Sequence, residues 1–362
     1  VAYEELSAQE LLDHLGSAGD VLVVDVREPD EAEAWAIPGS RNIPLGTLGA
    51  AVGELPRDRL IVTACASGRR SAAAAELLAG CGLEVANLRG GMAAWGAAYD
   101  VAEVAVPGAT IVQVRRRGKG CLSYLVGAGE EAFVVDPSVD TARYEQLAAD
   151  RGWRITRVLD THLHADHVSK ARELAARTGA TLHLSPFEPY RFDYTPLVDG
   201  DDLTLPGGAE LTVGVLHTPG HTEGSVVYRV GDRALLSGDT LFVDGVGRPD
   251  LAERAEEFAR DLHRSLQRLL AGLDASTLVL PAHYGTQVAV VPGEPVAADL
   301  ASLVASLEPL SLDEGAFVRW ASARVNEPPP NYRRILAANT GRHSVDAAAV
   351  AVLEAGPNRC SA

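Results

Sequence analysis

Lysine is almost missing from this 362-residue chain: only Lys119 and Lys170 occur, so nearly all of its 32 basic residues are arginine. Arginine stays charged at any working pH and presents a planar fork suited to small anions. Positive charge is also scarce against negative, since 49 Asp plus Glu set against 32 Lys plus Arg give a net charge of -17. That balance repels polyphosphate and anionic lipid, which argues against nucleic acid as a partner and against docking on a membrane. Long apolar runs are lacking too. The longest stretch free of Asp, Glu, Lys and Arg, Ala275 to Gly293, contains Pro281, His283, Gly285 and Gln287, and reads as strand and loop rather than a membrane span. A basic segment followed by an apolar one, the mark of a secretory leader, is not seen at the start. Cysteine is limited to Cys65, Cys81, Cys121 and Cys360 with no CxxC pair. In so long a chain this argues against a disulfide scaffold and for a reducing, cytoplasmic setting.

What is present is ordinary for a folded protein: 47% hydrophobic and 22% charged residues. At roughly 150 residues per domain, the length suggests two to three domains. Residues 1–100 alternate short apolar strands, such as Asp20 to Val26 and Arg59 to Ala64, with helical segments such as the Ala-rich Ser71 to Ala79. Strand–helix alternation of this kind predicts a parallel α/β sheet. A transition is expected over Val101 to Thr110, punctuated by Pro107-Gly108. From about 106 to 290 the texture changes to blocks of consecutive strands, each block followed by a helix. The first block ends with a helix at Thr141 to Arg151, and the second with the long amphipathic Glu253 to Ala271 before the strand Thr277 to Leu280. Two such blocks fit two sheets packed together with helices outside. Residues 291–362 read as a helical accessory region broken at Pro328-Pro329-Pro330.

Potential ligands gather where strands end. Thr161-His162-Leu163-His164-Ala165-Asp166-His167 follows a strand, and His162 and His164, two apart, project to one side of an extended backbone. His221 in Thr218-Pro219-Gly220-His221-Thr222, Asp239 in Ser237-Gly238-Asp239-Thr240 and His283 in Pro281-Ala282-His283-Tyr284-Gly285 occupy later turns. Imidazole and carboxylate suit borderline cations such as Zn or Fe(II). A lone histidine is usually structural or exposed, and His217 is read that way, with no role given to His14, His183, His263 or His343. Five His and two Asp in the order HxHxDH…H…D…H are a different matter, because isolated surface residues do not recur at strand ends in that pattern.

This constellation resembles the metallo-β-lactamase superfamily over about residues 106–290, which implies an αββα sandwich with a metal site at one edge of its sheets. The local runs, with Gly238-Asp239-Thr240-Leu241-Phe242-Val243-Asp244-Gly245-Val246-Gly247-Arg248-Pro249-Asp250-Leu251, look like the persulfide dioxygenase branch. That resemblance implies one Fe(II) held by His162, His221 and Asp239, a facial triad that leaves positions for water, O2 and substrate sulfur. His164, Asp166, His167 and His283 are then either orienting partners of those ligands or, as in hydrolases of the same superfamily, ligands of a second metal. It also implies that Arg248 binds a glutathione-type carboxylate through paired hydrogen bonds. A turn arginine that braces Asp250 is the plainer reading.

Cys65 follows the strand Leu60 to Ala64 and opens Cys65-Ala66-Ser67-Gly68-Arg69-Arg70-Ser71, after which a helix begins. Inward-pointing amides of such a loop, the helix start and two arginines favour a thiolate or a bound anion, so Cys65 reads as a nucleophile served by Ser67, Gly68, Arg69 and Arg70. Cys81 reads as a core residue, Cys121 as a strand residue and Cys360 as part of a terminal segment. Residues 1–100 resemble the rhodanese family through the Cys65 loop, Asp25-Val26-Arg27-Glu28-Pro29-Asp30-Glu31, Ile37-Pro38-Gly39-Ser40-Arg41-Asn42-Ile43-Pro44 and Gly90-Gly91-Met92-Ala93-Ala94-Trp95. Trp35-Ala36 stands where many members have Gly-His.

Sulfur chemistry is common to both resemblances. Together they imply oxidation of a small thiol persulfide, such as glutathione persulfide, by O2 to sulfite and thiol, with Cys65 passing sulfane sulfur to or from thiosulfate or sulfite. The alternatives are a hydrolase resembling glyoxalase II, with two Zn or Fe ions, and a non-catalytic persulfide carrier or sensor. A nuclease fits poorly with the net charge. A homo-oligomer is left open.

Overall fold

The computed structural model describes residues 3–16, 21–205, 211–249, 254–285, 287–324, 328 and 331–356. Asp250, Leu251, Pro329, Pro330 and Cys360 lie outside the described residues. The chain forms two compact units: Val1–Asp100 with Arg116–Lys119 and Ala347–Pro357, and Val101–Arg115 with Gly120–Asp346 and Asn358–Ala362.

In the first unit five strands pair in the spatial order Glu4–Leu6, Val85–Leu88, Leu60–Ala64, Val21–Asp25, Arg41–Asn42, and every pairing is parallel. A parallel sheet is covered on both faces, so its central strands are apolar on both. Val23 and Val62 pack with Leu11, Met92 and Trp95 on one face, while the adjacent Val24 and Ile61 pack with Ala74, Ala75 and Leu78 on the other. The helix expected at Ser71 to Ala79 runs from Arg69 to Gly80, which makes both loop arginines its first residues.

The second unit holds a seven-stranded sheet, Thr195–Pro196, Thr181–Leu184, Arg154–Leu159, Glu131–Val135, Cys121–Ala128, Ala109–Arg116, Tyr99–Val106, and a six-stranded sheet, Asp202–Leu205, Leu211–His217, Val226–Val230, Ala234–Gly238, Leu278–Pro281, Ala298–Asp299. Both mix parallel and antiparallel pairs. Alternate residues point inward from each strand. Tyr124, Val126, Phe133 and Val135 of one sheet thus meet Val213, Val215, Tyr228 and Val230 of the other in one core. The helix Ala255–Gly272 buries Phe258, Leu262, Leu266 and Leu269 on one stripe and joins Leu300, Leu303 and Phe317 in a separate outer cluster with Leu241, Val246 and Val279. No helix among the described residues is long and apolar enough to cross a membrane.

Two expectations are corrected. Val101 to Thr110 is not a plain transition: Tyr99–Val106 and Ala109–Arg116 are strands, joined at a turn where Gly108 has φ +81°. Cys81 is exposed rather than core. It caps the helix Arg69–Gly80, its amide bonded back to Leu77 and Leu78, and at that terminal position its side chain meets solvent.

Candidate metal centre and cysteine loop

The four ligand-bearing turns all follow strands of the sandwich: His162 comes after Arg154–Leu159, His221 after Leu211–His217, Asp239 after Ala234–Gly238 and His283 after Leu278–Pro281. Close packing brings the turns together. Gly220, with φ +139°, lies where a Cβ would come 2.3 Å from the Leu262 amide of the outer helix, so the chain before His221 passes that helix only as glycine.

His162, His221 and Asp239 form one buried group whose ligand atoms lie within 4.8 Å of one another. His162 Nε2 is 3.6 Å and His221 Nε2 3.4 Å from Asp239 Oδ2. The tautomers follow from the partners behind each ring. Thr161 donates its hydroxyl to Asp136 Oδ2 at 2.8 Å and so accepts from His162 Nδ1 at 2.9 Å. His221 Nδ1 donates to the Arg248 carbonyl at 2.9 Å. Each imidazole therefore carries its proton on Nδ1 and turns the bare Nε2 inward. Burial, followed by the neighbouring His164, holds His162 well below the ordinary histidine range, and burial lowers His221. Asp239 is driven up by burial, yet His283, His162 and His221 outweigh that and keep it ionised. Two nitrogen lone pairs thus face a carboxylate oxygen, and His162 Nε2 and Asp239 Oδ2 are buried without a hydrogen-bond partner. An arrangement of lone pairs and negative charge in a dry site is costly unless a cation sits among them, so this donor set fits a metal ion.

A second group joins Cys121, Asp166, His167 and His283. Here the members bond to each other. His283 spans two carboxylates, with Nδ1 2.6 Å from Asp239 Oδ1 and Nε2 3.0 Å from Asp166 Oδ2. Asp166 Oδ1 is 3.1 Å from His167 Nδ1, and the Cys121 thiol reaches Asp166 Oδ2 at 3.3 Å. Burial opposes protonation of His167, but Asp166 and Cys121 raise its pKa to about 10. His167 Nε2 is left without a partner. His164 belongs to a third group, 3.1 Å from Asp136 Oδ1 and 3.9 Å from Asp160 Oδ1, where burial lifts the Asp160 carboxyl to about 6.

Sequence reasoning did not pick out Asp136, Asp160 or the part Cys121 plays here. Asp136 left one signal, an Asp-Pro pair directly after an apolar strand, and it is a non-glycine residue at φ +53°. Cys121 left none, because an isolated bridge to His283 brings it to the site. Arg248 is buried, with 2% exposure, and its carbonyl is the group that meets His221. His217 lies apart from the three groups, stacked on Phe187 at 4.6 Å.

In the first unit Cys65 sits at the end of Leu60–Ala64, 1% exposed. Burial raises its pKa, but the hydroxyl of Ser71, 3.3 Å from Sγ, and the amides of Ser71, Ser67 and Gly68 hold it below the ordinary thiol range. Gly68, at φ +90°, is the N-cap of the following helix. The loop rests on Gly91, where a Cβ would come 2.1 Å from the Cys65 carbonyl. The two arginines part company. Arg69 is exposed, whereas Arg70 makes a bidentate pair with Glu31 at 2.7 and 2.7 Å, and that pairing keeps the Glu31 carboxyl at about 2. Trp35, at the departure from the rhodanese pattern, donates its indole N–H to the Gly118 carbonyl at 2.8 Å.

Comparison with known proteins places both halves. Residues 116–283 match the metallo-β-lactamase superfamily and residues 7–98 the rhodanese-like domain. A hydroxyacylglutathione hydrolase of Methylococcus capsulatus is 41% identical over 167 residues, which is 44% of this chain and 60% of that protein. An uncharacterised protein of Mycobacterium leprae is 34% identical over 45% of this chain and 86% of its own length. The crystal structure of ETHE1 from Myxococcus xanthus is similar with a TM-score of 0.54 and 27% identity, covering 64% of this chain and 99% of that one. The chain belongs to the metallo-β-lactamase superfamily and carries a rhodanese-like domain N-terminal to its metallo-β-lactamase domain. It spans about 60% of the length of the hydroxyacylglutathione hydrolases it matches.

Proposed function

We propose that this protein is a metal-dependent enzyme, a persulfide dioxygenase coupled to a sulfurtransferase. The observation that carries the reading is the contrast between the two groups at the metal centre. His162 and His221 turn bare nitrogens toward an unpartnered oxygen of Asp239, whereas Asp166 and His283 are already bonded to their neighbours. That contrast favours one ion on three protein ligands over a two-metal hydrolase centre. The motif resemblance to persulfide dioxygenases and the likeness to ETHE1 support the same reading.

His162, His221 and Asp239 would hold the Fe(II), which would supply the redox chemistry for oxidation of a terminal sulfur by O2. One persulfide, one O2 and one water give one thiol and one sulfite. The sulfane sulfur loses four electrons, and O2 takes them. The remaining residues orient and carry charge: Thr161 and the Arg248 carbonyl fix the ligand tautomers, and His283 and His167 hold protons beside Asp239 and Asp166. We assign the Arg248 guanidinium to the carboxylate of a glutathione-type substrate. In the first unit the Cys65 thiolate, with the amides of Ser67 and Gly68, takes up sulfane sulfur from thiosulfate or a small persulfide and releases sulfite or thiol. Arg69 attracts the anion, and Arg70, paired with Glu31, borders the loop. The proposed division is 1–100 for sulfur transfer and 106–290 for the oxidation, with 291–362, expected as an accessory region, adding the strand Ala298–Asp299 to the second sheet.

The test is oxygen uptake with glutathione persulfide by anaerobically iron-loaded protein. Uptake that survives His162→Ala or Asp239→Ala sinks the triad. The hydrolase reading has its own support in the gathering of Asp166, His167 and His283 into a second group of potential ligands and in the name of the hydroxyacylglutathione hydrolases. It wins if the protein holds two metal equivalents and turns over S-lactoylglutathione without O2. Sulfur loading of Cys65 without turnover points to a carrier or sensor.

A further inference from the structure

The helix Tyr332–Asn339 ends on a buried asparagine. The Asn339 carboxamide is used in full: Nδ2 donates to the carbonyls of His164 and His167, both at 2.8 Å, and Oδ1 accepts the Ser169 amide at 2.9 Å. Two acceptors on one side and a donor on the other fix which end is nitrogen. These three contacts span the end of the histidine loop from His164 to Ser169. A peptide plane held by its carbonyl restricts the dihedrals on either side of it, so Asn339 helps fix the directions in which His164, Asp166 and His167 leave the backbone, alongside their own bonds to Asp136 and His283. The carboxamide is itself held in place. Ser169, whose amide it accepts, donates its hydroxyl to Asp160 at 2.8 Å, and the next residue, Thr340, accepts the Arg191 amide through its carbonyl at 3.0 Å.

We propose that Asn339 is a positioning residue for the metal centre, and that the helix Tyr332–Asn339 carries it there rather than forming an appendage. The inference rests on the reading that the His and Asp groups hold a metal. It concerns orientation alone: Asn339 touches backbone, and neither substrate nor metal is assigned to it. Partners that orient metal ligands typically alter affinity by about 10- to 100-fold when lost.

The experiment uses the full chain with Asn339→Asp, which keeps the size and removes both donors, Asn339→Ser, which keeps a single donor, and Thr340→Ala, which removes only a hydroxyl bonded within its own helix to Leu336. Affinity for Co(II) is measured by chelator competition together with the visible Co(II) spectrum, and circular dichroism reports the fold. The expected result is a loss of affinity of about 10- to 100-fold in the Asp variant and a smaller loss in the Ser variant, each with a changed Co(II) spectrum. In turnover, kcat falls while KM holds. Thr340→Ala matches the wild type in all of these. Wild-type affinity and spectrum in both Asn339 variants overturn the inference, and so does an equal loss in Thr340→Ala, which assigns the effect to the helix. A wild type that takes up no metal removes the metal-centre reading and this inference with it, whereas normal wild-type uptake beside unchanged variants removes this inference alone.

Discussion

The reactive states of Cys65 and His162 are set by the groups behind them, the Ser71 hydroxyl for the one and the Thr161 hydroxyl for the other. Cys65 is buried among donors that favour its thiolate, so its alkylation by iodoacetamide should titrate with a midpoint below that of a free thiol. The Ser71 hydroxyl stabilises the anion, so Ser71→Ala raises the midpoint and slows alkylation at pH 7. An unmoved midpoint would show that the amides alone hold the thiolate. Under the proposed function, Cys65→Ser should abolish thiosulfate-dependent sulfur transfer and leave oxygen uptake intact. At the metal centre, Thr161→Val removes the acceptor for His162 Nδ1 and lowers metal affinity by about tenfold, read by chelator competition. At this scale the sequence was legible where chemistry is contiguous or sits in a recognisable turn, as at His162, His221 and Asp239. It was not legible for Asp160, Asn339 and Cys121, which reach the site only through strand pairing and helix packing, and for Asp136 it offered only the Asp-Pro pair after a strand. Nor could it show that Arg70 is engaged by Glu31, 39 positions away.

Elements present these residues through close approach. Gly91 carries φ +57° and admits no Cβ beside the Cys65 carbonyl. Gly91→Ala should therefore cost more than about 2 kcal/mol, seen as a lower urea midpoint at unchanged m, with sulfur transfer lost. A substitution tolerated within about 0.5 kcal/mol would mean that the loop relaxes freely. Element types read well wherever one period dominated, as in the amphipathic Ala255–Gly272 and the apolar Leu60–Ala64. The helix Ala171–Thr178 is hard to read from sequence because it is short and its N-cap, Lys170, supplies no side-chain cap. The strand Tyr99–Val106 was taken for a transition because its polar and charged residues, Asp100 and Glu103, interrupt the apolar pattern.

For the molecule as a whole, two compact units imply separate responses to metal. A chelator should lower the melting temperature of one calorimetric transition, because an ion bound only by the folded state stabilises that state by mass action. The iodoacetamide reactivity of Cys65 should stay the same throughout. A single transition that moves as one would show that the units unfold together. Within the first unit, Arg116 and Glu354 form a buried pair at 2.6 Å, and breaking such a pair by removing one partner costs about 3–5 kcal/mol. Glu354→Ala should lower the urea midpoint accordingly. The Lys119 ammonium also reaches the Glu354 carbonyl, 235 positions further along. At about 5–20 residues per second of synthesis, roughly 12 to 50 s separate the emergence of these two partners. The parts of the first unit joined at Glu354 are synthesised apart, so these contacts form only after the residues between them have been translated.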